Sequence, residues 1–359
     1  MLIRLFVITL VLSTLAGCTS TKPSTVQPAP TSLPTTSPAA TTPLTGDSSP
    51  ALATMPYPIG LTDATMDVNG VTRRFRVYVP NTQAPVAIVF VLHGGGGQGA
   101  KIADPGSHPA SVFTTVADRE GFIVVYPEGL PGTDGNPSWN DCRSDSKISS
   151  TADDVGFLSA LVTQMQSAYG LDRGQAFMAG GSNGALMTYR FADERSDLIA
   201  AIATSSGNLP AAPDPGACLT GPSTQLAVLM THGTEDPQMP PEGGCVSNFG
   251  GACNRGTVIG QEETRDQWLA YAGLTGVEPT IESVGGDYGE QGAADQHDYR
   301  LGQAHVEWWR LNGAGHSMPS QTVLLEPTAQ TGEQNQSIEF AEISWEFFKE
   351  TLGIDQGLK

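Results

Sequence analysis

The chain has 359 residues, of which 39% are hydrophobic and 15% are charged, which is enough for one large α/β domain with additional segments. Its formal net charge of -19 at pH 7 disfavours nucleic acid and anionic lipid as partners, because both would be repelled, and favours a neutral substrate. Beyond the N-terminus, no apolar run reaches the roughly 18 residues of a membrane span.

The N-terminus has the three parts of an export signal. Residues 1–4 carry one positive charge, residues 5–12 are apolar, and Leu15-Ala16-Gly17-Cys18 resembles the cleavage sequence of bacterial lipoproteins. This pattern predicts a signal peptide at residues 1–17 and lipidation of Cys18. We therefore expect an exported protein held at the cell envelope by a lipid anchor. The alternative is an ordinary secretory signal with an incidental cysteine.

The rest of the chain divides by composition. Residues 18–55 are almost wholly Thr, Ser, Pro and Ala, so they bury too little apolar area to fold and are predicted to form a semi-stiff tether. Strand and helix patterns begin near residue 56, and residues 56–359 are predicted to form one domain.

The four cysteines after Cys18 predict disulfides. An even number in an exported chain allows two bonds among Cys142, Cys218, Cys245 and Cys253, with three possible pairings. Cys245 and Cys253 enclose a short glycine-containing loop and are the favoured pair. Their spacing is unlike that of a zinc site.

Strand and helix patterns alternate along the domain. Strands are predicted at 71–79, 86–92, 122–126, 176–179, 199–204, 227–232 and 306–311, and helices at 111–120, 154–169, 185–191, 262–272 and 338–352. The helix at 154–169 has Thr151 or Asp153 as its capping residue. Regular alternation of this kind predicts the α/β class, with a mostly parallel sheet covered by helices on both faces.

The first candidate catalytic residue is Ser182, in Gly180-Gly181-Ser182-Asn183-Gly184. An apolar strand precedes this motif and a helical run follows it, which is the setting of a nucleophile elbow. Glycines permit the sharp turn that exposes the serine hydroxyl. The alternative is a glycine-rich turn with a passive serine.

A second glycine-rich segment, His93 followed by four glycines, comes directly after the buried strand at 86–92. Backbone N–H groups in such a loop can bind a developing oxyanion. We expect one donor from Gly95 and the other from Asn183. His93 precedes the serine and is expected to be a structural hydrogen-bonding residue.

An acid and a base are expected downstream of the serine. Asp236 follows the strand at 227–232 and is the predicted acid, with Glu235 as the second choice. Three histidines follow. His297 lies in a polar acidic stretch, and His305 precedes a strand, as expected of an ordinary exposed residue. His316, in contrast, lies in a glycine-rich loop after a strand. His316 is therefore the predicted general base.

In combination and order, these motifs resemble the secreted esterase family that includes poly(3-hydroxybutyrate) depolymerases, feruloyl esterases and acetylxylan esterases. The matching segments span about residues 60–320: Leu92-His93-Gly94-Gly95-Gly96, Ala117-Asp118-Arg119-Glu120-Gly121-Phe122, Val125-Tyr126-Pro127, Ser138-Trp139-Asn140-Asp141, Asp153-Asp154-Val155-Gly156-Phe157, Gly181-Ser182-Asn183-Gly184, His232-Gly233-Thr234-Glu235-Asp236 and Gly315-His316. The resemblance implies an α/β-hydrolase fold and a triad of Ser182, Asp236 and His316.

The resemblance also points to residues that contact substrate. It implies a substrate-side role for Trp139, with a half-buried loop residue as the alternative. Members of the family often have Thr-Trp-Pro after the catalytic histidine, where this chain has Ser317-Met318-Pro319. Met318 is therefore a candidate substrate-binding residue, and the loss of the tryptophan weakens the case for an aromatic acyl group.

The expected function is ester hydrolysis through an acyl-enzyme, requiring no metal or cofactor. The expected substrates are polyester oligomers or plant-polysaccharide acyl esters, with soluble or wall-accessible esters preferred because no polymer-binding domain is recognised. A serine peptidase with the same triad and a non-catalytic binding protein on a hydrolase scaffold are the alternatives.

Overall fold

The computed structural model describes residues 56–82, 84–215, 218–246 and 253–353. The predicted signal peptide, Cys18 and the whole of the predicted tether lie outside these residues. The strands are β1 Gly60–Val68, β2 Val71–Val79, β3 Ile88–Leu92, β4 Ile123–Pro127, β5 Leu130–Pro131, β6 Pro137–Ser138, β7 Ala176–Gly181, β8 Ala201–Ser205, β9 Ala227–Gly233, β10 Gly244–Cys245, β11 Thr257–Val258, β12 Thr280–Val284, β13 Ala294–Leu301 and β14 Ala304–Leu311. The α-helices are α1 Gly99–Ala103, α2 Val112–Glu120, α3 Asp154–Tyr169, α4 Asn183–Arg195, α5 Gln261–Tyr271 and α6 Phe340–Thr351, with 3-10 turns at Pro109–Ser111 and Arg173–Gln175.

Ten strands form one sheet in the order β1-β2-β4-β3-β7-β8-β9-β14-β13-β12. All pairings from β4 through β14 in this order are parallel, and the strands at the two edges pair antiparallel. In the parallel part, the carboxyl ends of neighbouring strands lie on one edge of the sheet, so loops that follow β3, β7, β9 and β14 converge there.

Side chains alternate across the sheet and bury a core on each face. In β3, Ile88, Phe90 and Leu92 join the apolar cluster that includes Leu158 of α3. Val89 and Val91 face the other way, into the cluster that includes Phe113 of α2 and α6 residues. A central strand buried on both faces explains why this segment is continuously apolar in sequence.

Helix ends follow from local sequence. The carboxylate of Asp153 accepts a hydrogen bond from the N–H of Gly156 at 2.8 Å, and this cap begins α3. Gly121 and Gly170 end α2 and α3 in left-handed conformations, with φ of 82° and 66°, which glycine adopts with little strain.

The α/β-hydrolase fold predicted from the sequence is confirmed, and α3 has the predicted bounds. The pattern missed β1, β12 and β13. The expectation that His305 is an ordinary exposed residue is also wrong. That side chain is 7% exposed, because β14 begins at Ala304 and its imidazole packs between the carboxylates of Asp298 and Glu307.

The disulfides join Cys142 to Cys218 and Cys245 to Cys253, so the favoured pair is present. Among the described residues, no helix is both long and apolar enough to span a membrane.

Candidate active site

Ser182 stands at the turn between β7 and α4. Its φ of 55° and ψ of -125° lie outside the regions that non-glycine residues normally occupy, and such strain is concentrated at functional sites. The turn is compact because Gly184 packs against the end of β3. A Cβ on Gly184 would lie 2.5 Å from the carbonyl oxygens of Leu92 and His93. Glycine is therefore required at this position.

His316 and Asp236 complete a hydrogen-bonded chain with Ser182. Nε2 of His316 lies 2.8 Å from the Ser182 Oγ, and Nδ1 lies 2.7 Å from Oδ2 of Asp236. The other carboxylate oxygen of Asp236 accepts the N–H groups of Gln238 and Met239 at 2.8 and 2.9 Å. The structure thus brings together the three residues that the sequence nominated, at distances that permit proton transfer.

The loops that carry the acid and the base are bonded to each other. The N–H of Glu235 donates to the carbonyl of Ala314 at 2.9 Å, and the N–H of Gly313 donates to Oγ1 of Thr234 at 2.8 Å. The Glu235 side chain is exposed, so Asp236 rather than its neighbour faces the imidazole. This direct bonding fixes the distance between acid and base.

The expected oxyanion donors lie beside Ser182. A Cβ on Gly95 would lie 3.5 Å from the Asn183 Cβ, and one on Gly94 would lie 3.3 Å from the Ser182 Cβ. The N–H groups of Gly95 and Asn183 have no acceptor within the described part of the chain. Asn183 begins α4, where the helix dipole is positive, and Gly95 lies against it, so these two unused donors suit a developing negative charge.

A buried network fixes Asn183. Its Oδ1 accepts the N–H of Trp139 at 2.8 Å, and its Nδ2 donates to the carboxylate of Asp141 at 2.5 Å. That carboxylate also pairs with Arg143. These bonds hold the side chain of the predicted oxyanion donor in place.

The prediction that Trp139 contacts substrate is wrong. Its side chain is 0% exposed, and its indole N–H donates to the carbonyl of His93 at 2.8 Å. The ring also packs against the His93 imidazole, with ring centres 4.9 Å apart. Trp139 therefore supports the glycine-rich loop from behind.

Two further acidic residues, Asp153 and Asp154, lie at the start of α3. The buried Asp154 carboxylate pairs with Arg73 at 2.6 Å and accepts the N–H of Asn140 at 2.8 Å. Asp153 caps α3, as described above. The Asp153-Asp154 pair is thus structural.

A cavity of about 200 Å³ contains the Ser182 hydroxyl. Met318 lines it, with Cε 3.3 Å from where a Cβ on Gly181 would lie. Two residues that the sequence did not nominate also line it: His108 and Arg255. Neither lies in a recognisable motif, and only the tertiary fold brings them to the serine.

Three histidines that are fully or partly buried have depressed pKa values. Burial lowers the pKa of His93, His108 and His232 to about 4 in each case. These imidazoles are therefore neutral at pH 7. His93 accepts the N–H of Gly129 at Nε2, 3.0 Å away, which agrees with its predicted structural role.

Among the described residues, two groups place three potential metal ligands within 4.8 Å of one another. Cys142 and Cys218 of the first group are joined as a disulfide. In the second, Asp298 and Glu307 flank His305, and Arg300 pairs with Asp298 at 2.7 Å. Neither group lines the cavity around Ser182.

A largely parallel sheet, a serine at a strand-to-helix turn, and an acid and a histidine on later loops in that chain order define an α/β hydrolase. Residues 74–248 match the model of a family described as phospholipase/carboxylesterase. This part of the chain is therefore similar to that family.

Relatives carry esterase names. A bifunctional acetylxylan esterase/xylanase of Neocallimastix patriciarum, XynS20E, is 33% identical over 140 residues, which are 38% of this chain but only 18% of that protein. Feruloyl esterase C of Emericella nidulans is 26% identical over 258 residues, 70% of this chain and 87% of that protein. A solved acetyl xylan esterase from Aspergillus awamori shares the fold, with a TM-score of 0.51 and 20% identity, over 73% of this chain and 95% of that one. The predicted resemblance to carboxylic ester hydrolases is confirmed.

Proposed function

We propose that this protein is an exported serine carboxylic ester hydrolase that works through an acyl-enzyme. The observation that carries the proposal is the hydrogen-bonded chain from Ser182 through His316 to Asp236, with distances of 2.8 and 2.7 Å. The N–H groups of Gly95 and Asn183, which have no acceptor within the described part of the chain, support the proposal as candidate oxyanion donors.

Acylation follows from this geometry. Nε2 of His316 takes the proton of the Ser182 hydroxyl as Oγ attacks the ester carbonyl carbon. The carbonyl oxygen becomes an oxyanion, which the two backbone N–H groups bind. When the tetrahedral intermediate collapses, His316 returns the proton to the leaving alcohol, and the acyl group remains on Oγ.

Deacylation repeats these steps with water. His316 removes a proton from water as its oxygen attacks the acyl carbon, and the proton then passes to Ser182 Oγ. Asp236 stays ionised and stabilises the imidazolium in both halves of the cycle. The carboxylic acid leaves and the hydroxyl is restored.

The proposed substrates are short acyl esters on plant polysaccharides, with polyester oligomers as the second candidate. The cavity of about 200 Å³ is smaller than the ~300–1,000 Å³ of a typical ligand pocket, which favours a small acyl group. Met318 offers a flexible apolar wall in place of an aromatic one. The names of the relatives, acetylxylan and feruloyl esterases, support the same class.

The proposed location is the outer side of a membrane, with Cys18 as the lipid-bearing residue. The sequence supports this through the apolar run at residues 5–12 and the Leu-Ala-Gly-Cys ending at Cys18. Metabolic labelling with a radioactive or alkyne fatty acid tests it. We expect incorporation into the wild type and none into Cys18→Ser.

The test of the chemistry is Ser182→Ala. We expect hydrolysis of 4-nitrophenyl acetate to fall to the rate without enzyme while the melting temperature stays within a few degrees. Retained hydrolysis by the variant would refute the proposed nucleophile. Acetylated xylan, methyl ferulate and hydroxybutyrate oligomers, compared under one set of conditions, identify the acyl group.

A further inference from the structure

Arg255 places an unpaired cation beside the proposed nucleophile. It lines the cavity that contains Ser182 and His316, and also a narrower adjoining cavity bounded by Gly95 and Asn183. A Cβ on Gly95 would lie 3.6 Å from Nη1 of Arg255. The guanidinium is therefore adjacent to a proposed oxyanion donor.

This guanidinium has no acidic partner among the described residues. No carboxylate of the described ranges lies within 4.0 Å of it, in contrast to Arg73, Arg143 and Arg190, which are all ion-paired. Its Nε is buried and makes no hydrogen bond within the described chain. Residues 247–252, which precede Arg255 in the sequence and which the structure does not describe, read SNFGGA and contain no acid.

The charges around Arg255 leave it available for a ligand. Burial, followed by the positive charge of Arg143, lowers its pKa, and Asp134 opposes this. The Asp134 carboxylate already accepts the N–H and side-chain amide of Asn136 at 3.0 and 3.1 Å. Asp141 is engaged by Arg143 and Asn183. A partly buried cation without a partner costs free energy that a bound anion can recover.

We propose that Arg255 binds a carboxylate on the substrate, so that the enzyme prefers esters with an anionic group a few bonds from the scissile carbonyl. The inference rests on the proposed ester hydrolysis. A guanidinium forms two parallel hydrogen bonds to a carboxylate, which gives both affinity and orientation. The overall charge of -19 repels anions at long range, whereas the Arg255 guanidinium attracts an anionic group close to Ser182.

The carboxylate has two possible sources, the acyl part or the alcohol part, and matched esters separate them. The acyl pair is 4-nitrophenyl hydrogen glutarate and 4-nitrophenyl pentanoate. The alcohol pair is 4-carboxyphenyl acetate and 4-methylphenyl acetate. In each pair the ratio of kcat/KM for the charged ester to that for the neutral ester is measured for wild type and variants, so intrinsic reactivity cancels.

We expect Arg255→Met to lower this ratio about 10- to 100-fold in one of the two pairs, the size typical of a hydrogen bond to a charged group. Arg255→Lys keeps the charge but not the bidentate geometry, so its ratio should lie between those of the wild type and Arg255→Met. The matched control is Arg195→Met. Arg195 pairs with Asp197 at the far end of α4, and its loss should leave the ratios unchanged. An unchanged ratio in both pairs with Arg255→Met would overturn the inference.

A binding measurement separates this inference from the proposed chemistry. Calorimetry with glutarate on Ser182→Ala should detect binding that is weakened at least tenfold in Ser182→Ala/Arg255→Met. Equal binding by both would overturn the carboxylate site, even if ester hydrolysis depends on Ser182. If the wild type instead shows no esterase activity while glutarate binding still depends on Arg255, the proposed function is refuted and the carboxylate site stands. Melting temperatures of all variants show whether each is folded.

Discussion

Asp236→Asn tests the proposed triad most specifically, because the surrounding hydrogen-bond donors fix the orientation of the new amide group. Two backbone N–H groups, from Gln238 and Met239, point at Oδ1. The amide oxygen must occupy that position, so the NH2 group takes the place of Oδ2 and faces Nδ1 of His316. The imidazole then accepts at Nδ1 and carries its proton on Nε2, which faces Ser182 and cannot take the hydroxyl proton.

The magnitude follows from the buried ion pair formed in the transition state. Asp236 is 3% exposed, and charge centres about 4 Å apart at an effective dielectric constant of about 20 attract by about 4 kcal/mol. This corresponds to a factor of about 10³ in rate. The unfavourable tautomer of His316 adds to this loss, so we expect kcat to fall about 10³- to 10⁴-fold. The same substitution in a Ser-His-Asp protease lowers kcat about 10⁴-fold.

The assay is steady-state hydrolysis of 4-nitrophenyl acetate, together with the rate of labelling by a fluorophosphonate. Both should fall in Asp236→Asn while the melting temperature changes little. Glu235→Gln is the matched control, because the neighbouring carboxylate is exposed, and its activity should stay within twofold of wild type. A loss of less than tenfold in folded Asp236→Asn would refute the assignment of the acid.

Trp139, the buried histidines and one disulfide each give a further prediction. Trp139→Phe removes the bond to the His93 carbonyl, so we expect about 2 kcal/mol lower stability in urea unfolding and a lower kcat with little change in KM, whereas a substrate contact would raise KM. Because burial holds the pKa values of His93, His108 and His232 near 4, below the unfolded value of about 6.5, their contribution to stability is full above pH 6.5 and lost as pH falls towards 4. Between pH 4 and 6.5, unfolding should therefore take up about three protons more than the carboxylates alone would. His108→Asn keeps a cap for the N–H of Ala110 and should lower this uptake by about one proton. An unchanged proton uptake in that variant would contradict the low pKa of His108. Replacing Cys142 and Cys218 by alanine removes a disulfide between residues 76 apart in sequence, and it should lower the free energy of unfolding in urea by about 4 kcal/mol. An unchanged free energy of unfolding would contradict the disulfide.

The triad could be predicted because each member lies just after a largely buried strand. Ser182, Asp236 and His316 come after β7, β9 and β14, and parallel neighbours carry their loops to one edge. The apolar runs that mark these strands are visible in sequence. Chain order then limited the choice of acid and histidine to a few residues.

Other parts depend on tertiary contacts that no local pattern reveals. β12 and β13 are polar and end the sheet, so they lack the apolar run of a central strand. The family resemblance implied a substrate-side role for Trp139, yet its side chain is fully buried and its indole N–H donates to the carbonyl of His93. Arg255 reaches the serine only because the chain after Cys253 returns to the Gly95 loop.

The most direct test of the central claim is mass mapping of the protein after reaction with a fluorophosphonate, with residual esterase activity followed in the same sample. We expect one adduct per chain, on the peptide that contains Ser182, and loss of activity in proportion to its formation. An adduct on another residue, or full activity after complete modification of Ser182, would contradict the account.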